Sequence, residues 1–95
     1  MLEKDIEKYL TKEVKKMGGR SYKWVSPGNN GVPDRIVLFP GRQPIFVELK
    51  TESGILSKLQ AVQIKELVRL GQDVRVLKGI GAVQDFLEEV RGNGI

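Results

Sequence analysis

An α/β fold, a mixed four-stranded sheet flanked by helices in the order α-β-β-β-α-β-α, is what the sequence predicts, and three observations carry it. Residues 2–17 and 57–70 carry apolar side chains at spacings of three and four, the stripe of an amphipathic helix. Four short runs rich in β-branched and aromatic residues lie between breaks marked by glycine, proline or asparagine. The last of these runs follows a helix, so a strand–helix–strand crossover, right-handed by the usual rule, sets it beside a hairpin in one sheet.

The elements follow in order. Leu2, Ile6, Tyr9, Leu10, Val14 and Met17 form the first helical stripe, which Gly18-Gly19 stops. RSYKWVS, from Arg20 to Ser26, reads as a strand bounded by glycine and Pro27, and PGNNGVP over 27–33 as a loop. RIVLF (35–39) and IFVELK (45–50) are strand-like runs joined by Pro40-Gly41-Arg42-Gln43-Pro44, the composition of a hairpin connection. Beyond a short loop, SKLQAVQIKELVRL places Leu59, Val62, Ile64, Leu67, Val68 and Leu70 on a broad apolar face before Gly71. DVRVL (73–77) alternates with period two as a fourth strand, and Val83, Phe86, Leu87 and Val90 mark a third helix over 82–90, after which RGNGI is expected to fray.

At 95 residues the chain has room for one domain, 1–95, around one core. Its apolar runs are far shorter than the roughly 20 residues of a membrane span, so no membrane association is expected. The opening MLEKDIEKYL is charged and helix-periodic, unlike a secretory signal, which points to the cytoplasm. There is no cysteine and no histidine. Thiolate and imidazole chemistry are thereby excluded, and with them Ser-His-Asp hydrolases, cysteine proteases and zinc sites built on those ligands. Any metal chemistry must use oxygen ligands, the preference of Mg²⁺ or Mn²⁺. Sixteen Lys and Arg against twelve Asp and Glu leave a net charge of +4, compatible with a polyanionic partner. Lys12, Lys15, Lys16, Arg20 and Lys23 crowd one stretch, although lysine at a helix end also complements the helix dipole.

The chemistry-bearing pattern is Pro33-Asp34 followed by Glu48-Leu49-Lys50. Strand side chains alternate, so Glu48 and Lys50 share one face of IFVELK while Ile45, Val47 and Leu49 share the other. The hairpin brings Asp34 beside residues 48–50, but the loop's parity decides its face. If Phe39 pairs with Pro44, Asp34 meets Leu49 and the carboxylates face oppositely; a register shifted by one sets Asp34 against Glu48 or Lys50, on their face. Two carboxylates with a lysine suit phosphodiester hydrolysis, in which a hard cation activates water and an ammonium orients it or offsets developing charge. A cross-strand ion pair on a solvated face, contributing about 0.2–1 kcal/mol, is the other reading, and geometry alone leaves both open.

Gly31-Val32-Pro33-Asp34, then Phe46-Val47-Glu48-Leu49-Lys50, then Gly54-x-Leu56-Ser57-x-x-Gln60 resembles the VRR-NUC (virus-type replication-repair nuclease) domain of the PD-(D/E)xK nuclease superfamily. The resemblance extends over nearly the whole chain, from Glu3-x-x-Ile6-x-x-x-Leu10 through YKWVSPG (22–28) to Gly71-x-x-Val74. It implies a restriction-endonuclease-like core and hydrolysis of DNA with Mg²⁺ or Mn²⁺ and no small-molecule cofactor. By residue it implies Asp34 and Glu48 as metal ligands, the Leu49 carbonyl as a further ligand and Lys50 as the catalytic lysine. Stand-alone viral and bacterial members are associated with cleavage of Holliday junctions by homodimers, so a homodimer acting on branched DNA is the reading for this chain.

Several residues keep two readings. Glu3 either complements the N-terminus of the first helix or, as in the family, completes the metal site. Gln60 either closes a capping box with Ser57 or stands near the catalytic lysine, and both can hold. Trp24 and Tyr22 around Lys23 suit stacking on an unpaired base beside a phosphate contact, or a packed strand. Ser26, Arg35, Lys58 and Lys65 are further candidate DNA contacts, with a solvated face or ordinary turn as the alternative. The rival functions are a non-catalytic module that binds branched or single-stranded DNA and an accessory protein with a protein partner.

Overall fold

The computed structural model describes residues 1–93. Its elements are α1 (Glu3–Lys16), β1 (Arg20–Lys23), β2 (Arg35–Leu38), β3 (Ile45–Lys50), α2 (Lys58–Arg69), β4 (Asp73–Lys78) and α3 (Gly79–Asn93). The sheet order is β1-β2-β3-β4, with β1–β2 and β2–β3 antiparallel and β3–β4 parallel, as the predicted fold class requires. Among the described residues no helix is long and apolar enough to cross a membrane.

The core lies on one side of the sheet. The α1 stripe Ile6, Leu10 and Val14 packs with Val37, Ile45, Val47 and Leu49 of the sheet and with Val83, Phe86, Leu87 and Val90 of α3. Strand alternation then turns Phe46, Glu48 and Lys50 to the opposite side, where α2 lies. At the end of α1 the Gly19 amide donates to the Val14 carbonyl at 3.0 Å and Gly18 takes φ +83°, a left-handed cap that glycine accepts without strain.

Element ends depart from the sequence reading for local reasons. β1 stops at Lys23, because Ser26 is drawn into a turn in which its carbonyl accepts from the Asn29 amide at 3.0 Å and its Oγ from Asn29 Nδ2 at 3.1 Å. β2 stops at Leu38, since the Phe39 carbonyl closes a turn with the Arg42 amide. α3 starts at Gly79, whose φ of +86° lets β4 turn directly into the helix, and it continues through Asn93 where fraying was expected; Gly94 and Ile95 of that stretch lie outside the described residues. The Arg91–Glu88 ion pair helps hold this last turn.

α2 is the main correction. Its expected apolar face is not buried: Ile64 and Leu67 are half-buried, while Leu59, Val62, Val68 and Leu70 are all more than half exposed. The inner face of this short helix meets β4 and the polar side of β3, and among the described residues its outer face stays exposed.

Candidate active site

The hairpin register settles the parity left open by the sequence. Arg35 pairs with Val47, Ile36 with Phe46 and Val37 with Ile45, so one step further Asp34 stands opposite Glu48. Asp34 itself lies just before β2 and is held twice. Its carbonyl accepts from the Trp24 amide at 2.9 Å, and its Oδ2 accepts from the Leu49 amide at 2.9 Å. The preceding Pro33 is fully buried and anchors the approach to the strand.

Glu48 is the unusual member. It retains 0 % of its surface and is the buried charged residue of an otherwise apolar set. Its Oε2 accepts from Gln60 Nε2 at 3.0 Å and lies 3.4 Å from Lys50 Nζ, whereas its Oε1 has no partner among the described residues. Burial pushes the Glu48 carboxyl up to about 7; the negative charge of Asp34 adds to the rise, Lys50 opposes it, and Glu3 adds a smaller increment. A buried carboxylate beside a second carboxylate, with one oxygen unused, gains most from a cation.

Gln60 closes the capping box, and its side chain also reaches the carboxylate of Glu48. Its backbone amide donates to Ser57 Oγ at 3.1 Å and its Oε1 accepts from the Ser57 amide at 2.9 Å, closing the capping box, while its Nε2 reaches Glu48. The start of α2 is thus tied to the carboxylate. Gly31, which the sequence offered as a turn glycine or as part of a backbone approach to phosphate, supports the same junction from the loop. It has φ +91°, and a Cβ built there would lie 2.6 Å from the Leu59 carbonyl carbon and 2.8 Å from the Gln60 nitrogen. Only a residue lacking a side chain lets the loop lie against the first turn of α2. The Gly-x-Pro-Asp spacing was the signal in the sequence.

Asp34 and Leu49 line a cavity of about 250 Å³ with Glu3, Lys4, Glu7 and Lys23. Glu3 thus reaches the neighbourhood of the pair, but no group of three acidic side chains among the described residues is placed to hold a metal ion together. Of the candidate DNA contacts, Lys23 is exposed at this cavity, and Lys58 and Lys65 are exposed on α2. Ser26 is engaged in its turn. Arg35 is committed internally, donating from Nε to Glu7 Oε2 at 3.0 Å and from Nη1 to the Ser21 carbonyl at 3.3 Å. Trp24 packs on Phe46 with ring centroids 5.2 Å apart, whereas Tyr22 is exposed.

Two solved structures share the architecture. A VRR-NUC domain superposes with TM-score 0.85 at 26% identity, covering 90% of this chain and 94% of its own. A second VRR-NUC domain protein gives TM-score 0.77 at 18% identity over 94% of this chain and 87% of its own, a likeness of fold alone. The fold is therefore that of a VRR-NUC nuclease domain. In sequence, "Putative nuclease p44" of Acyrthosiphon pisum secondary endosymbiont phage 1 is 47% identical over 75 residues, 79% of this chain and 81% of that protein. The chain belongs to the VRR-NUC nuclease family. No family model matches it.

The close approach at Gly31 predicts a difference between two glycines of one loop. Gly28 also has positive φ, at +81°, but open space where a Cβ would sit. By denaturant unfolding, Gly28→Ala is expected to cost about 1–2 kcal/mol from backbone strain alone, and Gly31→Ala clearly more because the loop must also leave α2. Equal costs would show that the close approach carries no energy.

Proposed function

We propose that this chain is a metal-dependent, structure-selective DNA endonuclease, acting as a single domain in a homodimer on Holliday junctions or other branched DNA. The observation that carries the reading is the buried Glu48, with Oε1 unpartnered, set across the hairpin from Asp34 and beside Lys50. These oxygens fit Mg²⁺ or Mn²⁺: such ions keep several waters and need only one or two carboxylates, so a three-carboxylate cage is not required. Asp34, Glu48 and the Leu49 carbonyl would hold the ion, with Glu3 adding negative charge at the cavity. When bound, the cation polarises the phosphoryl group and lowers the pKa of a coordinated water.

The chain's own groups have separable tasks in this scheme. The Leu49 amide fixes the rotamer of Asp34, and Gln60 orients Glu48 by donating to Oε2. Lys50 brings positive charge beside Glu48, where it can hold the attacking water or offset charge on the phosphoryl oxygens. Lys23, Lys58 and Lys65, which are exposed, supply contacts to the DNA backbone, whereas Ser26 and Arg35 are held by Asn29 and by Glu7 and Ser21. Two symmetric nicks in a four-way junction need two sites, and a two-fold dimer matches that symmetry. The uncovered Leu59, Val62 and Leu70 on α2 are apolar surface of the kind a second copy covers.

Incubated with a four-way junction and Mg²⁺ or Mn²⁺, the protein is expected to cut, and Asp34→Asn or Lys50→Ala to slow cutting by about 10²–10³-fold while still shifting the DNA on a gel. Either variant cutting as fast as the parent sinks the assignment. Light scattering behind size exclusion is expected to give the dimer mass, with Val62→Glu moving it toward the monomer. A parent that is monomeric at concentrations where it makes paired nicks rules out the dimer.

A further inference from the structure

The polar side of α1 bears a stripe that the site does not use. Lys4, Lys8, Lys12 and Lys15 recur at intervals of four, four and three, so they lie along one face of the helix, and all four are exposed. Among the described residues none of them enters an ion pair; on the same helix Lys16, one turn beyond Lys12, is taken by Glu13 at 3.1 Å and so does not extend the unpaired row. The acid that lies within the stripe, Glu7, is neutralised by Arg35. Lys4, Lys8 and Lys12, four apart, disfavour the helix by mutual repulsion, whereas Lys15 in the last turn gains from the helix dipole, so stabilisation of α1 does not account for the first three.

The stripe is continuous with the candidate site. Lys8, Lys12 and Lys15 line a shallow groove with Glu7 and Arg35, and Glu7 also lines the cavity of Asp34, Leu49 and Lys4. At about 1.5 Å per residue the four lysines extend over about 16 Å, the rise of roughly five base pairs along a duplex axis. A membrane does not fit this surface, because the apolar stripe of α1 is consumed in the core. A long, regular polyanion does.

We propose that Lys4, Lys8, Lys12 and Lys15 form a phosphate-backbone track that carries an arm of the DNA substrate along α1 to the Asp34 side of the site. The inference rests on the nuclease reading for the identity of the polyanion. It adds a set of phosphate-binding groups distinct from those on β1 and α2 and gives the substrate arm a direction.

The test measures equilibrium binding of a four-way junction and a linear duplex against salt, with a chelator present so that nothing is cut. Each lysine–phosphate pair that is removed takes about 0.9 off the slope of log K against log salt. Lys8→Gln/Lys12→Gln/Lys15→Gln, which replaces lysine by another good helix former, is expected to flatten the slope by about 2.7 and weaken binding about tenfold or more at 0.15 M salt. Lys12→Gln alone is expected to flatten it by about 0.9, and Lys16→Gln not at all. Circular dichroism matching the parent accompanies each comparison, and the single variant decides the matter if the triple variant unfolds. A slope unchanged in the lysine variants overturns the track and leaves an acidic protein surface as the partner to seek. Cleavage by the parent is scored separately: a parent that never cuts, but whose slope falls as stated, defeats the nuclease reading and keeps the track.

Discussion

Burial of one carboxylate organises this molecule. Glu48 sits on the central strand β3 with no exposed surface, an arrangement that desolvation makes unfavourable unless charge or hydrogen bonds compensate. Compensation comes from two directions, the ammonium of Lys50 on the same strand and the amide of Gln60 from α2. It is incomplete, because Oε1 stays unpartnered, and burial together with the like charge of Asp34 pushes the carboxyl up to about 7. Structural elements that look independent in sequence are coupled through this group: the capping of α2, the loop leaning on it at Gly31 and the hairpin register all bear on how Glu48 is held.

The two sides of the sheet divide the labour. Ile45, Val47 and Leu49 bury against α1 and α3 and stabilise β3 as a rigid platform, which leaves the alternate residues free to be polar. α2 covers that polar side with little apolar burial of its own, so its position depends on specific hydrogen bonds more than on packing. Such a layer is the kind that a second copy or bound DNA can stabilise further, which agrees with the proposed dimer and substrate.

How much of this was legible in the sequence depends on whether the signal was local. Periodicity identified every element in order, and alternation within IFVELK separated core from site, because both are properties of neighbouring residues. The capping box around Ser57 and Gln60 was visible for the same reason. The register that carries Asp34 to a place opposite Glu48 was not, since one residue of loop parity shifts it and both parities fit Pro40–Pro44. The exposure of Leu59, Val62 and Leu70 was equally hidden: an apolar stripe reports that a helix has something to cover, not whether this chain alone covers it. Gly31 was visible as a letter of a motif, but its approach to α2 exists only in three dimensions.

The central claim is that Glu48 is a buried, incompletely compensated carboxylate, suited to holding the proposed cation. Its most direct test is a carbon-detected NMR titration of the Glu48 carboxyl, first with chelator and then with Mg²⁺. A midpoint near 7 is expected without metal. Bound Mg²⁺ favours the ionised form, so the midpoint should fall by at least about one unit when it is added. A midpoint at the ordinary carboxylate value of 4.5, unmoved by Mg²⁺, would contradict both the incomplete compensation of Glu48 and the proposed metal site.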